Sequence, residues 1–286
     1  MKNLEKDEIG YYPSIFIMLP LPYNKQEEIT FTRKYGNTDL VFFTPQGKLP
    51  YGKFARSLMS LITSQYVYQH KEITDDQSSR TIELDNLTTT AKKLKIPTYD
   101  SGSIHKKMCD TMESLSHLQI MTRTYIVSEQ YKIVKKEFIR LFSNSYIVWT
   151  KKEKTLIAQN QKELFQSFVV ISPEFRDVIE RHASPIDIEV YNSLKTARQQ
   201  DLYAWVIKKM YHLKKDNIPE EFVPFDLLLP QFFDKIANKT LQKEEFMDGL
   251  LAVKREYPEA RIEIKNKGII LLASPLHIEE KQVGYV

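Results

Sequence analysis

The feature that most constrains the fold is an order of apolar patterns that this chain runs through twice. After Pro50, YGKFARSLMSLITSQYVYQH places Phe54, Leu58, Leu61, Ile62 and Tyr66 at spacings of three and four, the wide stripe of an amphipathic helix. A short strand, RTIEL, follows. Asp85 then stands as the N-cap of NLTTTAKKLKI, with Leu87, Ala91 and Leu94 on one face. After the turn PTYDSG, Ser103 opens a longer helix carrying Ile104, Met108, Met112, Leu115 and Leu118. Alternating strands, IMTRTYIVSE and SYIVWTKKE, close the first round.

The second half repeats the scheme. SPEFRDVIERH and ARQQDLYAWVIKKMYHLKK lay down stripes, and in the latter Leu202, Trp205, Val206 and Leu213 face inward. FDLLLPQFF is a short middle helix that Pro230 ends or bends. NKTLQKEEFMDGLLAVKREYP is a third helix with Leu241, Phe246, Leu250 and Val253 inward. EARIEIKNKGIILLAS then alternates at period two around Asn266-Lys267-Gly268, where the glycine is expected to supply the positive φ of a tight reversal.

Helix, strand, helix, helix and hairpin is the order of a winged helix-turn-helix, whose third helix and β-ribbon approach nucleic acid while the first helix packs behind. The expected class is therefore α+β, with two tandem winged helix-turn-helix domains over residues 46–160 and 161–286, joined within 155–172. The first 45 residues mix prolines, aromatics and polar residues without a period, and read as an N-terminal arm.

Composition excludes several alternatives. Hydrophobic residues make up 42% and charged residues 27% of the 286, enough for an ordinary core. The eight glycines are too dispersed to build a phosphate-cradling loop. Cys109 is the single cysteine, so no intramolecular disulfide exists and a reducing bacterial cytoplasm is the expected setting. The first 25 residues make a poor signal peptide, and no apolar run is long enough to span a membrane. A net charge of +4 leans toward an anionic partner. Seven basic residues lie between Lys132 and Lys154 against two acids, which reads equally as a solvated face or a phosphate-facing one.

The six histidines show no metal-ligand spacing, and no nucleophile–base constellation appears, so neither catalysis nor a cofactor or metal is expected. Trp205 with Tyr203 and Tyr211 fits a stacking platform for single strands, but at helical spacing Trp205 fits a core better, and Tyr203 stays open.

The candidate DNA-binding residues follow from the repeated order. Lys239, Thr240, Gln242 and Lys243 stand near the start of the last helix, where side chains reach base edges; Thr240 reads alternatively as an N-cap. Lys265 and Lys267 occupy the hairpin tip, where lysines neutralise phosphates. Lys254 and Arg255 lie at the far end of the same helix and also suit its dipole. In the first half, Lys106 and Lys107 hold the equivalent helix position, with Arg123 on the strand that follows.

Several segments together resemble the plasmid-encoded RepA-type replication initiators: GKLPYGKFARSLMSLITSQYVYQHKEI, SGSIHKKMCDTMESL, DLYAWVIKKMYHL, and LLLPQFF continuing through the Tyr-Pro helix end to IILLASPLHI. The resemblance runs from about Gly47 to His277. It implies a protein that binds repeated duplex sequences at a plasmid origin, helps open the DNA and recruits a host helicase or initiator. It also implies dimeric and monomeric forms, with the second domain recognising the origin and the first serving oligomerisation or backbone contact. The chain departs from the family pattern at PTYDSGSIHKKM, where relatives are richer in Gly and Arg. That weakens the expectation of phosphate contacts by the first domain. A transcriptional regulator on the same architecture, or an adaptor that binds replication factors without DNA, are the alternatives. A nicking enzyme is a more distant one.

Overall fold

The computed structural model describes residues 8–69, 77–96, 101–127, 132–149, 167–234 and 238–278. The PTYDSG turn lies largely outside the described residues, as do Lys151, Lys152, Lys154 and most of the expected joint.

The first strand among the described residues already contradicts an arm. β1 (Ile9–Pro13) pairs antiparallel with β9 (Ala183–Asp187), and α1 (Ser14–Met18) follows it at once. Tyr12, Phe16, Ile17 and Leu21 are completely buried. β2 (Thr30–Tyr35) and β3 (Thr38–Phe43) form a hairpin that joins β5 (Gln119–Val127) and β6 (Lys132–Arg140) in a four-stranded antiparallel sheet of order β2-β3-β5-β6. The missing helical period here reflects strands and short segments, most of which pack on partners distant in sequence. Periodicity along the chain is blind to such packing.

The first repeated unit is built from α2 (Gly52–Gln69), β4 (Thr81–Leu84), α3 (Leu87–Lys93), α4 (Ser101–His117), β7 (Phe142–Tyr146) and β8 (Ser167–Ile171). Its sheet has the order β4-β8-β7. β8 falls beyond residue 160, yet among the described residues it pairs only with β4 and β7. The expected boundary at 160/161 is therefore too early, since strand pairing carries the first unit to Ile171. Asn86, not Asp85, caps α3, its side chain accepting from the Thr89 amide at 2.9 Å; Asp85 pairs instead with Lys93.

Between the units lie α5 (Pro173–His182), β9 and α6 (Ile188–Ser193). The second unit comprises α7 (Ala197–Lys215), β10 (Glu220–Pro224), α8 (Phe225–Phe232), α9 (Lys239–Glu256), β11 (Arg261–Lys265) and β12 (Gly268–Leu272). Its sheet order, β10-β12-β11, again sets the first strand beside the last. A capping box of Thr196 and Gln199 starts α7. α8 runs two residues past Pro230.

One apolar core extends without a break from Tyr12 through Phe42, Ile171 and Trp205 to Leu276. The two units therefore share a core instead of each closing its own. No helix among the described residues is long and apolar enough to cross a membrane.

Candidate nucleic-acid interface

The β11–β12 hairpin is fixed to the starts of two helices. The Phe225 amide, first in α8, donates to the Lys267 carbonyl at 2.9 Å. From α9, Lys243 Nζ donates to the Asn266 carbonyl at 3.2 Å and lies 4.6 Å from the centre of the Phe225 ring. These contacts bring Lys239, Lys243, Lys265 and Lys267 to one end of the second unit.

Gly268 serves this junction differently from the sequence expectation. It is not among the glycines with positive φ; a Cβ there would stand 2.3 Å from the Val223 carbonyl and 2.8 Å from Phe222 Cζ. Close strand approach, not turn geometry, requires the glycine.

Acids temper the positive charge of the cluster. Lys265 pairs with Glu263 at 2.8 Å, holding the Glu263 carboxyl below its usual range, and Lys239 lies 3.4 Å from Asp226. Lys267 is exposed and makes no ion pair with any described residue.

The face of α9 departs from expectation at several positions. Asn238, not Thr240, is the N-cap, accepting from the amides of Thr240 and Leu241. Thr240 is left exposed at the helix start. Gln242 is buried at 8% exposure because it precedes Phe246 by one turn and shares that residue's inward stripe. It is therefore not placed to meet a base edge. Leu241, expected inward, is 51% exposed, and Leu251 is 47% exposed. Glu244, Glu245 and Asp248 share the outer surface of the helix. Lys254 and Arg255 stand about 22 Å along the axis from Lys239, at a rise of ~1.5 Å per residue, and do not join the lysine cluster.

In the first unit, Lys106 and Lys107 are exposed on α4 without ion pairs to described residues. Arg123 does not accompany them on that unit's hairpin. It belongs to the four-stranded sheet, where Asp39 lies 3.6 Å away and also accepts from the Tyr125 hydroxyl. The aromatic platform dissolves as well: Trp205 and Tyr203 are buried, while Tyr211 is half-exposed.

Part of the basic stretch that begins at Lys132 falls on β6, away from both clusters. Lys135, Lys136 and Arg140 are exposed there, and so is Phe138, at 62%.

The class these features fit, a RepA-type replication initiator, is supported by comparison with a known family. The chain belongs to the family described as plasmid encoded RepA protein, whose pattern matches residues 49–226. Among solved structures, it is similar to the "Crystal structure of SeMet derivatives of domain2 and domain 3 of RctB", with a TM-score of 0.50 and 11% identity, covering 93% of this chain and 99% of that one. A second, the "Crystal structure of the RctB domains 2-3, RctB-155-483", has a TM-score of 0.45 and 11% identity, covering 90% and 96%. These likenesses concern fold alone. No curated protein matches the chain.

Proposed function

We propose that the chain binds repeated duplex sequences at a plasmid origin, with each repeated unit acting as a winged helix. In the second unit, α9 is the helix that enters the major groove, and the β11–β12 hairpin is the wing along the phosphates. The observation that carries this reading is the Lys243–Asn266 bond, which ties the start of the helix to the tip of the hairpin. A duplex approaching one surface would meet Thr240, Lys243 and Lys267 together. Lys106 and Lys107 on α4 are the corresponding candidates in the first unit, more weakly supported because Arg123 is held elsewhere. Duplex opening, recruitment of a host helicase or initiator, exchange between dimer and monomer, a cytoplasmic setting and the absence of catalysis complete the proposal, and rest on family membership.

An adaptor reading has its own support: Leu241 and Leu251 are exposed on α9 beside Glu244 and Asp248, a surface better suited to a protein than to phosphates. Gel retardation at low salt separates the two. Origin fragments retarded more strongly than shuffled fragments of equal length support the initiator reading. No retardation of either supports the adaptor.

A further inference from the structure

Between the end of α5, β9, the second half of α7 and Leu276–Ile278 lies a cavity of about 580 Å³. That volume falls within the roughly 300–1,000 Å³ of small-molecule sites. Its lining gathers Arg181, His182, Lys208, His212, Lys215 and His277 against one acid, Glu180. Glu180 is already engaged, accepting from the Tyr66 hydroxyl at 2.6 Å and lying 3.9 Å from Arg176.

Lys208 is the unusual member. It is largely covered and makes no ion pair with any described residue, although removing an ammonium from water without a counter-charge is costly. Burial lowers its pKa to about 8. His182 and His212 are also held below their usual range, first by burial and then by the charge of Lys208, so these groups face one another. Asp216 opposes the effect at His212.

Lys208, His212 and Lys215 follow one another at helical spacing on α7, which sets all three on the face of the helix that lines the cavity. The dipole at the helix end accounts for Lys215 but not for Lys208, which is covered and two turns further in. Among the described residues no three His, Cys, Asp or Glu side chains are grouped to hold a metal ion. The three fixed cations of the lining, Arg181, Lys208 and Lys215, repel a metal and suit an anion. Tyr11, Ile207 and Ile278 supply apolar wall for the remainder of a ligand.

We infer that this cavity is a binding site for a small phosphorylated molecule, with its phosphate held by Lys208 and flanked by Arg181 and Lys215. The site shares no residue with the α9–hairpin surface. It lies where the N-terminal strand meets the second unit, so occupancy would brace that junction.

The test is thermal melting and titration calorimetry of the full chain at pH 7, with inorganic pyrophosphate against chloride at equal ionic strength. The expected result is a saturable rise in Tm and a measurable affinity, weakened about tenfold or more in Lys208→Met, as loss of a charge-assisted hydrogen bond implies. Arg181→Ala alters a side chain that is 73% exposed, folds regardless of the outcome at Lys208, and is expected to weaken pyrophosphate severalfold. Equal responses in wild type and both variants, or none beyond chloride, overturn the proposal. A duplex arm separates the phosphate sources. If Lys208→Met weakens duplex binding while pyrophosphate has no effect on wild type, the anion is DNA and the small-molecule site is refuted.

Discussion

Arg56 and Asp201, 145 residues apart in sequence, form an ion pair joined by three hydrogen bonds, in which both side chains are completely buried. Arg56 Nε lies 2.9–3.0 Å from the two carboxylate oxygens and Nη2 lies 2.8 Å from Oδ2. The remaining guanidinium hydrogens reach the carbonyls of Leu21, Pro22 and Gly52. One side chain thus joins the N-terminal segment, the first helix of the first unit and the first helix of the second. Arg33 repeats the device nearby, donating to Asp234 and to the Phe233 carbonyl.

Removing one partner leaves a buried charge uncompensated. Arg56→Met is expected to cost about 3–5 kcal/mol in urea unfolding. The double variant Arg56→Met, Asp201→Leu should recover a large part of that loss. If the double variant is no better than the single one, the pair does not carry the coupling assigned to it.

Gly268→Ala drives a methyl group against the Val223 carbonyl, which is backbone and cannot swing aside. A destabilisation of about 1–3 kcal/mol is expected from such overpacking. Gly249→Ala meets only the Leu202 Cδ1 atom, the end of a flexible side chain, and should cost less. Equal costs in denaturant titrations would show that strand approach is not what Gly268 serves.

Lys208 has a folded pKa of about 8 against the ordinary value of 10.5. The unfolded chain therefore binds more protons between those values, and stability rises with pH across that window. Lys208→Met should raise Tm at pH 7 without phosphate present, with the gain shrinking from pH 8 towards 10.5. A gain independent of pH would assign it to packing instead of charge.

Gln242 is covered, so Gln242→Leu should leave discrimination between origin and shuffled duplexes unchanged. Lys243→Ala should weaken both the junction and the binding. Competition binding with the two DNAs checks this, and a selective loss with Gln242→Leu would restore its base-reading role.

Much of this was legible in local pattern. The helices after Pro50 and Thr196 and the hairpin after Pro258 follow from spacing, because their stripes face a core on one side. What stayed hidden depends on partners distant in sequence. Arg56 and Ser57 are buried polar residues on α2 that look solvent-facing until Asp201 and Gln200 are set beside them. Gln242 passes for a polar surface residue by its type, although its place on the stripe points inward. Residues 9–21 hold a five-residue strand and a five-residue helix, each too short for a period to show, yet Tyr12, Phe16, Ile17 and Leu21 are completely buried. The cavity histidines are scattered along the chain and meet only in three dimensions.

A helix start and a basic hairpin tip that grip duplex DNA from one side are the centre of this account. The most direct measurement is the salt dependence of origin-duplex affinity for wild type and for Lys265→Ala with Lys267→Ala. Removing one lysine–phosphate interaction should reduce the slope of log K against log salt by about 0.9. The account predicts a slope shallower by about one to two units, with similar weakening on origin and shuffled DNA. An unchanged slope, or no duplex binding by the wild type at low salt, would contradict it.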